Sequence, residues 1–220
     1  MNNLETIKIG HRGYSKNFKD NSIQSFKACI NNNFDMIELD IQLCKNDSIV
    51  VYHDIYLNHN KICELDVNFL KKKDIITLND FFDSINSNEI KIYLDLKGDT
   101  KLSYVLNNFF NLHKNNKNIN LKNIYIASFN LNHLDILNEF NTSYNLGIIT
   151  CNNFTKDILS LLFIKYNNLK FISFYHDILD NKYIKFIQDH NIDVYVFTQK
   201  NEYDETYIKS FNVNGIITNY

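Results

Sequence analysis

Hydrophobic and polar positions alternate from Ile37 to Leu43, with Ile37, Leu39, Ile41 and Leu43 set against Glu38, Asp40 and Gln42. That is the period of a β-strand. The polar cluster Lys45-Asn46-Asp47-Ser48 follows, and Ile49-Val50-Val51-Tyr52 then runs into His53-Asp54. The pattern predicts a strand from Met36, a tight turn and a returning strand. A turn centred between Asn46 and Asp47 sets Asp40 opposite His53, and Glu38 shares the face of Asp40, so three polar groups converge on one patch. Two carboxylates held that close repel unless a proton or a cation separates them, and hard oxygen ligands suit Ca²⁺ or Mg²⁺. For an E-x-D taken alone, an amphipathic hairpin with a wet outer face is the simpler expectation. The rest of the chain favours the chemical one.

Upstream, Ile7-Lys8-Ile9-Gly10 predicts a short strand that runs into His11-Arg12-Gly13. Asp20-Asn21-Ser22 then offers cap chemistry for a helix whose apolar stripe is Ile23, Phe26, Cys29 and Ile30. Downstream of Asp54 a stretch of about twenty residues, with Lys71-Lys72-Lys73 as a solvated turn, leads to Thr77. Thr77 caps a helix bearing Leu78, Phe81, Phe82 and Ile85, with Asp80 at its third position. Residues 90–97 predict a strand with Tyr93, Asp95 and Lys97 on one face. A helix over 101–112, an Asn-rich solvated loop and a strand over 124–129 come next. Helical stripes at Leu131, Leu134 and Leu137, at Ile158, Leu161 and Leu162, at Tyr183, Ile184 and Ile187, and at Tyr207, Ile208 and Phe211 then alternate with strands over 146–150, 171–175, 194–198 and 215–218.

With the segment after the turn counted as a hairpin arm on the second strand, eight strands remain, seven of them followed by helices. Regular alternation of this length predicts a closed parallel (β/α)8 barrel over an open doubly wound sheet, and no glycine-rich phosphate loop follows the first strand. At 220 residues, 45% hydrophobic and 14% aromatic, the chain fits one domain spanning 1–220 with a sizeable core. A net charge of −2 gives no reason to expect nucleic-acid binding or a basic membrane-surface patch. The cysteines, Cys29, Cys44, Cys63 and Cys151, have no zinc spacing and read as free thiols in a reducing compartment. With no stretch of membrane-spanning length, a cytoplasmic protein without stable membrane insertion is expected; the oligomeric state is left open.

In a parallel barrel the reactive groups sit at the carboxyl ends of the strands. Those ends carry His11 and Arg12, Glu38 and Asp40, His53 from the arm, Asp95 and Lys97, and Ser128 and Asn130. An acid/base pair, a hard-metal site and two cations in one mouth fit an anionic substrate, especially a phosphate ester. Ser128 and Asn130 also fit the cap of the next helix.

The ordered set His11-Arg12-Gly13, Asp20-Asn21-Ser22, I-E-L-D at 37–40, the K-N-D turn and V-V-Y-H-D at 50–54 resembles the signature of the glycerophosphodiester phosphodiesterase family. L-D-L-K at 94–97, A-S-F-N at 127–130, V-Y-V-F-T at 194–198 and G-I-I-T-N at 215–219 resemble its later motifs, so the likeness runs through nearly the whole chain. The resemblance implies a TIM barrel that uses Ca²⁺ or Mg²⁺ to release sn-glycerol 3-phosphate and an alcohol from a glycerophosphodiester. By position it implies metal ligands at Glu38, Asp40 and Asp95, a catalytic histidine pair at His11 and His53, and phosphate contacts from Arg12 and Lys97. Ser128, Phe129 and Phe197 are candidates for a substrate pocket. Asp20, Ser22, Asp95, Phe197 and Asn219 stand where the family usually has Glu, Thr, Glu, Trp and Asp. Which histidine is acid and which base, and whether water or the substrate's own hydroxyl attacks, both stay open. The rival expectations are a lysophospholipase D, with Phe129, Tyr175 and Phe197 lining an apolar groove, and a barrel that binds phosphodiesters without turnover.

Overall fold

The computed structural model describes residues 6–140 and 144–220. β1 (Ile7–Gly10), α1 (Ile23–Asn31) and β2 (Met36–Leu43) open the chain, and the short β3 (Ile49–Val51) turns back on β2. A two-stranded ribbon, β4 (Tyr56–Leu57) and β5 (Asn60–Lys61), then leads to α2 (Val67–Lys71) and α3 (Leu78–Ser84). After β6 (Lys91–Leu96) and α4 (Lys101–Leu112) come β7 (Ile124–Ser128), α5 (Leu131–Glu139), β8 (Asn145–Thr150) and α6 (Lys156–Lys165). The chain finishes with β9 (Leu169–Tyr175), α7 (Asn181–Gln188), β10 (Asp193–Gln199), α8 (Glu202–Lys209) and β11 (Gly215–Thr218). Strand β1 pairs in parallel with both β2 and β11, and the intervening strands pair in sequence. The eight parallel strands therefore close into a TIM barrel, as the alternation predicts.

Period-two patterning divides the core. Ile9, Met36, Tyr93, Ala127, Ile149, Phe171, Tyr195 and Ile217 fill the lumen, while Ile37, Leu39, Ile41, Leu94, Ile126 and Ile172 pack outward against the helices. Gly147 makes room for this filling, because a Cβ there would lie 2.1 Å from the ring of Phe171. The caps read from sequence hold. Ser22 and Thr77 each accept the backbone N–H three residues on, with Ser25 and Asp80 returning the bond. Strand boundaries differ from the sequence-based ones by one or two residues, which is the usual fraying.

One expectation for the hairpin needs correction. Its register is Ile41 with Val51, Gln42 with Val50 and Leu43 with Ile49, so the turn is centred on Asn46 and Asp40 lies opposite Tyr52, whose N–H donates to the Asp40 carbonyl at 3.0 Å. The cause is the loop: Cys44 N–H closes onto Ser48 carbonyl, and Asn46 and Asp47 both adopt positive φ. His53 thus falls beyond the paired segment, at the mouth. All eight residues of β2 are buried, which agrees with the chemical reading of this face over the wet one. A small core of Cys44, Val50, Ile62, Leu70 and Ile75 packs the arm and the segment after it against the barrel wall.

Candidate active site

The loop after β1 begins the site. Arg12 and Gly13 both have positive φ, and at Gly13 a Cβ would also meet Ser25. The bend aims the Arg12 N–H at Glu38 Oε2, 2.7 Å away, and the Gly13 N–H at the Glu38 carbonyl. Register places the other carboxylates. In the parallel pair β2–β6, Asp40 is the lateral neighbour of Asp95, and Glu38 lies one inward step below Asp40. Oxygens of Glu38, Asp40 and Asp95 all lie within 4.8 Å of one another, and all three residues are buried. Asp95 thus reaches the cluster from a directly adjacent backbone position, despite its short side chain.

Two cations flank the carboxylates. Lys97 Nζ stands 2.6 Å from Asp95 Oδ2 and 3.3 Å from Asp40 Oδ1. Arg12 reaches Asp40 through Nε at 3.4 Å and Asp20 through Nη1 at 3.1 Å. These cations do not neutralise the cluster. Burial, with Asp40 and Asp95 adding repulsion, drives the Glu38 carboxyl well above its ordinary range. Burial likewise carries Asp95 up to about 7, with Lys97 opposing. Burial also acts against the charge of Asp40, but Lys97, the Asn21 hydrogen bond, His53 and Arg12 outweigh it and hold Asp40 low. Asp95 Oδ1 is buried with no hydrogen-bond partner. An excess of buried negative charge, an orphaned carboxylate oxygen and an all-oxygen donor set fit a hard divalent cation. Ca²⁺ ligands stand about 2.3–2.6 Å from the ion and Mg²⁺ ligands about 2.0–2.1 Å, so oxygens at this mutual spacing can share one.

The histidines approach from two sides. His11 follows β1, with Nδ1 2.6 Å from Asn219 Oδ1. Burial, reinforced by Arg12, takes its imidazole down from 6.5 to about 4, against the pull of Asn219, Asp40 and Asp20. Burial thus favours the neutral imidazole, and with the Asn219 amide oxygen as partner Nδ1 is the donor, which leaves the lone pair on Nε2. His53 is more exposed, and its Nδ1 lies 2.7 Å from Asp54 Oδ1. The buried Gln42 side chain donates to the carbonyls of both Tyr52 and Asp54, at 2.8 and 2.9 Å, and so clamps the backbone on either side of His53.

One cavity of 310 Å³ is lined by His11, Arg12, Glu38, Asp40, His53, Asp95 and Lys97 together with Phe129 and Phe197. The two phenylalanines meet edge to face with centroids 5.9 Å apart. Ser128 lines not this cavity but a neighbouring groove, and its buried hydroxyl donates to the Leu96 carbonyl and accepts from Asn130 N–H, while Asn130 caps α5. Its chemistry is spent on the strand-to-helix corner. His59, His113, His133, His176 and His190 do not line the cavity.

Sequence reasoning missed several contributors. Asn21, read as part of a cap, is buried and grips Asp40 from both sides, with Nδ2 donating to Oδ2 at 2.9 Å and Oδ1 accepting the Asp40 N–H at 3.3 Å. Gln42 was visible as the third polar residue on the face of Glu38 and Asp40, but not as a clamp. Thr198, the last residue of the V-Y-V-F-T motif, lines the rim with Cys151 and Lys200, which follow the ends of β8 and β10 and which only position in the repeat could have flagged.

The sequence model of the glycerophosphoryl diester phosphodiesterase family matches residues 11–220. A glycerophosphodiester phosphodiesterase of Caldanaerobacter subterraneus subsp. tengcongensis is 47% identical over 51 residues, a stretch that is 23% of this chain and 21% of the relative. The chain thus aligns with about a fifth of the length of the curated relatives it matches. A solved Oleispira antarctica phosphodiesterase, in complex with its product sn-glycerol-3-phosphate, superposes with a TM-score of 0.84 at 18% identity over 99% of this chain and 94% of that one. The Thermotoga maritima glycerophosphodiester phosphodiesterase superposes with 0.79 at 21% identity over 98% and 95%. With the family match running from His11 to the last residue, the chain belongs to the glycerophosphoryl diester phosphodiesterase family of enzymes.

Proposed function

We propose that this chain, as a single barrel domain over residues 1–220, hydrolyses glycerophosphodiesters to sn-glycerol 3-phosphate and an alcohol. The observation that carries the reading is the meeting of His11, His53, Arg12, Lys97 and three buried carboxylates around one 310 Å³ cavity. Glu38, Asp40 and Asp95 would hold the divalent cation, Ca²⁺ or Mg²⁺, whose charge offsets the negative charge that builds on the phosphoryl oxygens. Arg12 and Lys97 bind the diester's anionic oxygens and stabilise the same charge. His11, packed beside a guanidinium and hydrogen-bonded to a neutral amide, acts as base through Nε2. It takes the proton of the attacking hydroxyl, either from water, which gives glycerol 3-phosphate directly, or from the substrate's own glycerol, which gives a cyclic phosphate that a water then opens to glycerol 3-phosphate. His53, with Nδ1 against the Asp54 carboxylate, gives its Nε2 proton to the departing oxygen as the phosphorus–oxygen bond to the alcohol breaks. Asn21 and Gln42 position Asp40 and His53 respectively. Deacylated phospholipids are the natural source of such diesters, which puts the chain in lipid and glycerol metabolism. Four unpaired thiols suit a reducing, cytoplasmic setting.

The test is release of glycerol 3-phosphate from a panel of water-soluble glycerophosphodiesters by protein stripped with EDTA, then resupplied with Ca²⁺ or Mg²⁺, beside a detergent-dispersed lysolipid. Metal-restored release from the soluble diesters is expected. Turnover of the lysolipid alone would move the assignment to lysophospholipase D, and no turnover to a binding barrel.

A further inference from the structure

A groove of 650 Å³ adjoins the reaction cavity and shares His53, Lys97 and Phe129 with it. Leu96 and Gly98 also line it, and on its sides stand Ile55, Tyr56 and Phe129, which are 41%, 54% and 49% exposed. Three large apolar side chains left open around one concavity mark a binding surface more than scattered exposure does. The polar side chains along it are mostly engaged elsewhere: Ser128 with Leu96, Asn130 with the α5 cap, and His133 Nδ1 with Ser103. Lys97 turns its ammonium to Asp95 and Asp40. Asp54 differs. One of its oxygens meets His53, and the carboxylate is otherwise exposed. The groove lining therefore offers apolar and aromatic surface and the outer oxygen of Asp54, while its cations are already engaged, Lys97 by Asp95 and Asp40 and His53 by Asp54.

We infer that this groove receives the leaving alcohol of the diester and favours alcohols that carry an ammonium group. The inference rests on the proposed function, in which His53 protonates the departing oxygen. Because His53 stands between cavity and groove, the alcohol attached to that oxygen lies on the groove side. An ammonium is attracted by an aromatic face and by a carboxylate together, and quaternary ammonium ligands are recognised in this way. A negatively charged alcohol meets the Asp54 carboxylate, whose partner His53 gives up its proton as that alcohol departs. Phe129 is already engaged by Lys97, whose Nζ is 5.5 Å from its centroid, so Tyr56 on β4 is the ring that tests the idea.

The experiment compares kcat/KM for glycerophosphocholine and glycerophosphoglycerol, which share the glycerophosphate half and differ in the charge of the alcohol, in the wild type, Tyr56→Phe and Tyr56→Leu. The choline diester is expected to be preferred. Loss of one ring at an open site lowers that preference by about two- to fivefold in Tyr56→Leu, while Tyr56→Phe keeps it. A preference unmoved by Tyr56→Leu, preference for the neutral diester, or faster turnover of lysophosphatidylcholine than of either would overturn the inference. If neither diester is cleaved, the proposed function is what fails. Calorimetric titration of the same two diesters into wild type and Tyr56→Leu then decides the groove separately: tighter binding of the choline diester, weakened by the substitution, supports an ammonium site, and equal binding refutes it.

Discussion

Gln42→Met removes a clamp without emptying its space. The Gln42 amide donates to the carbonyls of Tyr52 and Asp54 at 2.8 and 2.9 Å from a fully enclosed position on β2, and methionine has a similar length but no donor. A buried hydrogen bond contributes about 0.5–1.5 kcal/mol net, so losing both destabilises by about 1–3 kcal/mol. For a chain of this size each kcal/mol lowers Tm by roughly 2–4 °C, which predicts a fall of about 4–8 °C for a 2 kcal/mol loss. The larger effect belongs to His53, whose flanking carbonyls are freed. A displacement on the order of 1 Å at a catalytic group can lower the rate by about a hundredfold, and we expect kcat for glycerol 3-phosphate release to drop by about 10–100-fold with KM little changed. Differential scanning fluorimetry and steady-state kinetics on the same preparations check both parts. Wild-type kcat in a protein whose Tm has fallen would show that the clamp serves stability alone and would refute its positioning role.

Other outcomes follow from the same geometry. Asn21→Ala removes both side-chain contacts to Asp40, so Ca²⁺ titration by calorimetry should show affinity reduced by about 10–100-fold, the usual range for a group that orients a metal ligand; unchanged affinity contradicts this. Gly147→Ala forces a Cβ into the Phe171 ring and should destabilise by about 1–3 kcal/mol in urea unfolding, as overpacking does. Burial disfavours the Asp135 charge, but hydrogen bonds from Lys165 and Tyr166 outweigh it and hold its carboxyl below the ordinary value. Its contribution to stability is therefore present above the unfolded carboxylate value of about 3.9 and is lost as pH falls through the lower folded value. Asp135→Asn should flatten the acid limb of the Tm profile below about pH 4, and an unchanged limb rejects the assignment.

The barrel was legible because its two periods are clean. The alternation in β2 and β6 and the stripes of α3 and α4 leave little choice of element, and closure follows from their number. The carboxylate cluster was legible for a related reason, since residues two apart on one strand share a face, and β6 supplied Asp95 at the matching height. The register of the arm was not, because it turns on positive φ at Asn46 and Asp47, and nothing in a K-N-D turn dictates which residue is its centre. The Asn21 contact to Asp40 joins residues on different elements and needs the bend at Arg12 and Gly13 before it can form. The ribbon of β4 and β5 was invisible because its two-residue strands are too short to show a period, yet it carries Tyr56 to the groove.

Phosphorus NMR of a glycerophosphodiester incubated with the protein tests the central claim most directly, because diester and monoester give separate resonances. Protein in EDTA should leave the diester intact, and addition of Ca²⁺ or Mg²⁺ should convert it to the sn-glycerol 3-phosphate signal. Conversion that proceeds undiminished in EDTA would contradict the role given to Glu38, Asp40 and Asp95, and a diester signal unchanged under every cation would contradict the activity itself.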